Sequence, residues 1–303
     1  MPQFALNVRH YHFDFHEGHA WREENMGDLD ATRTFNPQEM ALVLVDCWDR
    51  HYLKSYLERT DQIIREKIVP VVDACHDAGI TVVHAPSPAQ AKRYPQWLQY
   101  ASDEDLFTPP PPSHQPDWPP QQFRSRSGDY QQFAKPPGAV VQAWRVVEAD
   151  QRRIVQELEP RDDEFVVASG RQLHRLCRHR KIMHLIYVGF ATNMCVVGRD
   201  YGMRAMQQRG YNVILLRDCT TGIEAHDTID TMALTQAAIR EVEMLLGFTS
   251  TSDSLTDSAR EYVQAQAAEA AARGSSTAGR SPLAPAPAAQ GAFDRFAQRL
   301  GAK

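Results

Sequence analysis

Short, uninterrupted apolar runs recur through the middle of this chain, with room for a helix between most of them: ALVLVD (41–46), ITVVHA (80–85), EFVV (164–167), IMHLIYVG (182–189) and YNVILLRD (211–218). Runs of this length without polar alternation fit strands buried on both faces, as in a parallel sheet covered by helices. The segment DQIIREKIVPVVDACHDA (61–78) reads as an amphipathic helix with Ile64, Ile68, Val71 and Cys75 on one face and Gly79 as its stop. Pro70 inside that pattern predicts a kink or two shorter helices. Further helices are expected around 170–180, 194–209 and 227–246. This alternation predicts a three-layer α/β/α fold with a mainly parallel central sheet.

The remaining segments bound that domain. Residues 1–37 are polar and aromatic without clear periodicity and read as an N-terminal arm on the surface, leaving 38–252 as the folded domain. Within it, 101–138 is a proline-rich insertion, with PPPP at 109–112 and further prolines at 116, 119, 120, 136 and 137. Structureless loops longer than about 12–15 residues are uncommon in compact domains unless they are functional or disordered. Trp97, Trp118 and Phe123 argue that part of the insertion docks, either as a lid over a cavity or as a surface wrap. Residues 253–303 turn to Ala, Ser, Pro and Gln, which reads as a disordered tail ending in a short amphipathic piece, GAFDRFAQRLGAK.

Charge and cysteine usage exclude several classes of function. With 33 Lys and Arg against 38 Asp and Glu there is no electrostatic footprint for nucleic acid or an anionic membrane. The five cysteines (47, 75, 177, 195 and 219) are spread out with no CxxC pair, which fits neither a disulfide framework nor a zinc knuckle. The N-terminus MPQFALNVRHYHFDFHEGHAW has no long apolar run, so no secretory signal is read there, and no segment is apolar enough for a membrane span. The expectation is a cytoplasmic protein with reduced thiols.

In open parallel α/β sheets, ligands bind beyond the carboxyl ends of the strands. The strand ends here offer Asp46 after ALVLV, His84 in ITVVHA, and GFATNMC after IMHLIYV, which puts Cys195 in the first turn of a helix. A helix N-terminus lowers a thiol pKa and its N–H groups suit an oxyanion. Asp46 reaches Cys195 if the two strands are neighbours, and would then act as base and later as acid. The competing reading is a small buried cysteine at a turn, the reading given to the other four. Arg199, four residues after Cys195, falls on the same helix face. It would hold a thiolate, grip a substrate carboxylate, or make a structural ion pair. Gly198 and Gly202 read as a helix face open to close approach by another helix. His51 lies near the Asp46 strand end, where packing is the expected role.

VLVD (43–46), AGITVVHAPS, YVGFATNMCV (187–196) and GYNVILLRDCTTGIEAHDT (210–228) together resemble the isochorismatase-like cysteine hydrolases, over roughly 40–250 of the chain. The resemblance implies that family's fold, a nucleophile at Cys195, an acid/base at Asp46, a cis peptide between Phe190 and Ala191, and an oxyanion held by the Ala191 and Cys195 amides. It implies hydrolysis of a C–N bond in a small amide or ureido compound through a thioester. The alternatives are a catalytically silent member that binds a ligand, and a vinyl-ether hydrolase of the isochorismate type that needs no covalent step. Phe190, His84 and Arg199 are the expected substrate-binding residues, with a hydrogen-bonded core or rim role as the competing reading of His84. Two departures stand out. The family's lysine is absent after EFVV, where the chain reads Ala168, Ser169 and Gly170, leaving Lys54, Lys92 and Lys135 as remote candidates. The D-x-H metal motif of the nicotinamidases is also absent, with HAPSPAQ in its place, so no metal and no organic cofactor are implied. A homo-oligomer is implied by the family alone.

Overall fold

In the computed structural model, which describes residues 2–13, 18–102, 118–136, 138, 142, 144 and 151–277, the apolar runs form the parallel part of an eight-stranded sheet. Its strands are β1 (Phe4–His12), β2 (Gly27–Phe35), β3 (Met40–Val45), β4 (Thr81–Ala85), β5 (Phe165–Val166), β6 (His184–Phe190), β7 (Asn212–Thr221) and β8 (Phe248–Ser250). They lie in the order β2-β1-β8-β7-β6-β3-β4-β5. The strands from β8 to β5 run parallel, while β1 is antiparallel to both β8 and β2.

β3 shows why its run is uniformly apolar. Met40, Leu42 and Leu44 enter the hydrophobic cluster on one face, and Ala41, Val43 and Val45 enter the cluster on the other. The strand order then fixes the site: β4 and β5 are laid down on one side of β3, and β6 starts the other side. The crevice between β3 and β6 is thus the point where the strand order reverses, the usual ligand site of such sheets.

The 61–78 pattern is realised as two helices, Lys54–Ile63 and Val69–Ala78, joined by a π-turn at Ile64–Ile68. Pro70 sits in the first turn of the second helix, where its missing N–H costs nothing, and Gly79 closes that helix at φ 74°.

Three boundaries differ from the sequence reading. Residues 1–37 contain two strands of the sheet: Phe4, Leu6 and Val8 are buried on alternate positions of β1, and Arg9 faces Asp30 of β2 in register, ion-paired at 3.0 Å. The tail boundary at 253 falls inside a helix, Ser252–Thr277, whose Leu255, Ala259 and Tyr262 form a buried stripe at helical spacing. The helix expected around 194–209 is broken: a π-turn at Thr192–Val196 precedes a separate helix, Met203–Gln208, with Gly202 as its N-cap. A Cβ on Gly202 would meet Arg199 N at 2.9 Å and Val196 O at 2.8 Å, so this glycine serves a tight turn, and Gly198 has no atom within 4 Å of where its Cβ would be. The strands and the site belong to the compact unit Pro2–Gln264, and the described residues from Ala265 onward belong to a second unit.

Of the insertion, the prolines at 109–112 and 116, and Pro137, lie outside the described residues, as do residues 278–303 of the tail. Trp97 is buried, whereas Trp118 is 75% exposed. Phe123 packs against Tyr130 and Phe133 of its own segment, with ring centroids 5.2 and 5.9 Å away.

Candidate active site

The register of β3 and β6 brings the two sequence-predicted chemical groups together. Val45 pairs with Gly189, so the residues that follow each strand emerge side by side. Gly189 has φ 102°, and a Cβ there would lie 2.1 Å from Val45 O; only glycine lets the strand ends approach this closely. The chain then passes through a cis Phe190–Ala191 peptide into the Cys195 turn. Asp46, at φ 48°, is turned out of the strand into the left-handed region, which Asp tolerates better than most residues.

Asp46 is 5% exposed and borders the same cavity as the Cys195 thiol, close enough for the two to shift each other's pKa. Ser87 Oγ donates to Asp46 Oδ1 at 3.3 Å and accepts from Arg199 Nη2 at 3.0 Å. The same Nη2 lies 3.8 Å from Asp46 Oδ2, and the guanidinium charge favours the Cys195 thiolate. Arg199 is therefore part of the Asp46–Cys195 cluster. Thr192 Oγ1 meets Thr220 Oγ1 at 2.6 Å, and Asn193 binds both backbone polar groups of Ile223, at 3.0 and 3.1 Å. These bonds lock the Cys195 turn to the end of β7.

Burial and the Asp46 charge push the Cys195 thiol up to about 11, against the pull of Arg199. This corrects the expectation of a thiolate made by a helix N-terminus. The turn bearing Cys195 is a five-residue π-turn and the sulfur faces a carboxylate. Burial also raises the Asp46 carboxyl, while Cys195 and the charges of Arg199 and Arg152 pull it down. In the resting site the thiol keeps its proton at neutral pH.

A cavity of about 340 Å³ opens over this cluster, bordered at its base by Asp46, Ser87, Phe190, Ala191, Cys195 and Arg199. Its wall is aromatic. His51 stacks on Tyr52 at 4.5 Å and packs against Tyr56 at 4.8 Å and Trp144 at 5.9 Å. Arg152 lies over the rings of Trp48 and Trp144, at 5.0 and 5.1 Å. Burial first, and then Arg152, lower the His51 pKa to about 4, so its ring is neutral at neutral pH. His51 thus both packs and lines the cavity.

His84 is not part of it. Its side chain shares the β4 face with Val82, and its Nε2 lies 2.7 Å from Oε2 of the buried Glu164, whose Oε1 lies 2.7 Å from His76 Nε2. The substrate-binding role expected of His84 is corrected to a buried hydrogen-bonded core residue. No described lysine lines the cavity: Lys54 and Lys135 are exposed, and Lys92 lies over Trp97. Among the described residues no group of His, Cys, Asp and Glu side chains is arranged to hold a metal, and no helix is long and apolar enough to cross a membrane.

Sequence reasoning missed Trp48, Tyr52, Tyr56, Ser87, Trp144 and Arg152. The first three had a signal, because DCWDRHYLKSY packs aromatics directly after the Asp46 strand end. Trp144 and Arg152 lie far along the chain and had none.

Residues 40–254 match the family model of the isochorismatase domain. Among solved structures, a cysteine hydrolase from Pseudomonas syringae pv. phaseolicola 1448A is 17% identical, with 75% of this chain and 95% of that one covered and a TM-score of 0.47. An N-carbamoylsarcosine amidase from Thermoplasma acidophilum is 12% identical (71% and 97% covered, TM-score 0.37). A nicotinamidase/pyrazinamidase from Bacillus subtilis is 14% identical (70% and 99% covered, TM-score 0.39). No match was found among curated proteins.

Proposed function

The chain belongs to the isochorismatase family of hydrolases, and on that premise we propose that its Cys195 cavity hydrolyses a C–N bond in a small amide or ureido compound through a thioester. The observation that carries this reading is that the paired ends of β3 and β6 bring the Asp46 carboxyl and the Cys195 thiol together in the lining of one cavity.

The cycle follows from that pair. As the substrate carbonyl carbon comes within reach, Asp46 takes the thiol proton and the sulfur forms the new C–S bond. The carbonyl oxygen becomes an oxyanion, for which the Ala191 and Cys195 amides are the donors in this reading. Protonated Asp46 then gives its proton to the leaving nitrogen as the C–N bond breaks. Water attacks the thioester, Asp46 takes a proton from it, and collapse of the second oxyanion expels the sulfur, which recovers the proton. A thiol that holds its proton until substrate arrives suits this concerted start. Arg199 takes no proton, since a guanidinium stays charged; it holds the carboxylate in place through Ser87 and its own charge.

A second reading has its own observation. The chain reads Ala168, Ser169 and Gly170 where the resemblance places the family's lysine, and no described lysine lines the cavity, which favours a member that binds without turning over. Ammonia release from a panel of small amides and ureido compounds, with mass spectrometry of the intact protein, separates the readings. Hydrolysis requires turnover by wild type, a mass increment on Cys195 during turnover, and loss of both in Cys195→Ala. A silent member releases nothing from any compound. Activity that survives in Cys195→Ala on an enol ether identifies the vinyl-ether chemistry.

A further inference from the structure

We propose that Ser87 is a positioning residue for Asp46. A one-way chain of hydrogen bonds, from Arg199 to Ser87 to Asp46, holds Oδ1 as an acceptor, so that Oδ2 is the oxygen that exchanges a proton with the Cys195 thiol. The proposal rests on the hydrolase reading and adds the route of the proton within it.

The direction of the chain follows from what each group can donate. A guanidinium has N–H donors and no acceptor, and a hydroxyl has one proton. Arg199 Nη2 lies 3.0 Å from Ser87 Oγ and must be the donor there. The single Ser87 proton is then free for Asp46 Oδ1, 3.3 Å away. That contact is long for a hydroxyl and a carboxylate, so its effect on the carboxyl is modest. Arg199 Nη2 stands 3.8 Å from Oδ2, within ion-pair range but beyond a hydrogen bond. A proton on Oδ1 would weaken that oxygen as an acceptor for Ser87, whereas a proton on Oδ2 leaves the chain intact. In acylation the S–H bond breaks, the Oδ2–H bond forms, and the sulfur electron pair makes the C–S bond. Oδ1 keeps the Ser87 hydrogen bond throughout, as the carbonyl oxygen of the protonated acid.

Ser87 is placed for this by a departure from a local rule. It is the N-cap of the short helix Pro88–Ala91, where a serine hydroxyl usually accepts from the free backbone N–H groups. Here the hydroxyl makes no cap bond and turns to Asp46. The turn that carries Arg199 also grips the backbone beside Ser87. Gly202 N donates to Arg199 O at 2.9 Å, closing a turn that contains Tyr201. The hydroxyl of the fully buried Tyr201 donates to Pro86 O at 3.1 Å, and Tyr201 O accepts from the Tyr187 hydroxyl of β6 at 2.8 Å. Arg199 and Tyr201 thus hold Ser87 and Pro86, two adjacent residues, from a single turn. Among the described residues, the titratable and charged groups coupled to Asp46 are Cys195, Arg199, Arg152, Cys47, Tyr56 and Tyr201. A substitution at Ser87 changes none of them, so it probes the carboxyl directly.

The test uses the full chain and infrared difference spectroscopy over a pH series, with Asp46→Asn as the reference that identifies the Asp46 carboxyl band. In Ser87→Ala the carboxyl should titrate about half a pH unit or more above wild type, because the ionised form loses a donor. The C=O stretch of the protonated acid should move to higher frequency, because the carbonyl oxygen Oδ1 loses its hydrogen bond. Ser87→Thr keeps the hydroxyl and should restore both values, with thermal melts confirming that both variants fold. An unchanged titration in Ser87→Ala, an unchanged C=O stretch, or no recovery in Ser87→Thr overturns the proposal. Ammonia release from the panel of amides and ureido compounds separates the two readings. The expected result is a several-fold lower kcat in Ser87→Ala with KM little changed. A shifted Asp46 band without ammonia from any compound leaves the positioning role standing and removes hydrolysis. Turnover by Ser87→Ala at the wild-type kcat removes the positioning role and leaves hydrolysis.

Discussion

The Asp46 carboxyl and the Cys195 thiol line one cavity at the crevice between β3 and β6, although 148 residues lie between them in the chain. Asp46 raises the thiol's affinity for protons, whereas Cys195 lowers that of Asp46 without offsetting burial. Several of the expected outcomes below follow from that mutual effect.

The thiol near pH 11 sets the profile of Cys195 alkylation by iodoacetamide. Its thiolate fraction grows about tenfold per pH unit below that value. The rate should therefore keep climbing from pH 7 through pH 9.5 without a plateau. Asp46→Asn removes the neighbouring negative charge and should move the rise to lower pH. A wild-type plateau near pH 8 would contradict this account.

Removing Arg199 should act in the opposite direction. Its charge favours the thiolate, so Arg199→Met should raise the thiol pKa further and slow alkylation at pH 9 several-fold. Arg199→Lys restores a charge without the fork geometry and should recover part of the rate. Site-resolved alkylation kinetics check both variants.

Gly189→Ala should separate the strand ends. The added Cβ would collide with Val45 O, 2.1 Å away, at a φ of 102° that alanine resists. Chemical denaturation should show a loss of about 1–3 kcal/mol or more, and the dependence of alkylation on Asp46 should weaken as the pair moves apart.

The Glu164 clamp predicts a distinct acid limb. Burial pushes this carboxyl up, but hydrogen bonds and charge from His84, the Arg161 amide and His76 outweigh it and bring it to about 2. A carboxyl lowered on folding contributes stability that is full above its ordinary value of 4.5 and fades as pH falls toward 2. Between those values the melting temperature of wild type should fall more steeply than that of Glu164→Gln. Parallel curves would remove the clamp from the stability of the fold.

The helix that begins at Ser252 should prove part of the domain. Leu255 is fully buried, so Leu255→Ala should cost about 2–5 kcal/mol in a denaturant titration. An unchanged midpoint would mean that the helix adds nothing to the core.

The apolar runs carried the centre of the fold on their own, because a strand such as Met40–Val45 that is buried on both faces must be apolar at every position. Pro70 and Gly79 carried the helix break and stop in the same local way. The ends of the domain were not legible. β2, GDLDATRTF, has no apolar alternation, and its place is set by backbone pairing with β1, a partner no local pattern reveals. The stripe Leu255, Ala259 and Tyr262 is three residues in an Ala-rich segment, too sparse to stand out from a tail.

At the site, the chemistry of Asp46 and Cys195 could be read because each ends an apolar run, where a parallel sheet exposes its ligands. Side-chain direction could not: His84 lies in ITVVHA, but the pleat turns it toward Glu164 and away from the cavity. Nor could the protonation state of Cys195, which depends on what surrounds the sulfur more than on its place near a helix start. Trp144 and Arg152 as parts of the cavity wall belong wholly to the tertiary structure. Trp144 and Arg152 reach Trp48 and His51 only once the chain has folded back, and contacts between distant segments leave no periodicity in a sequence.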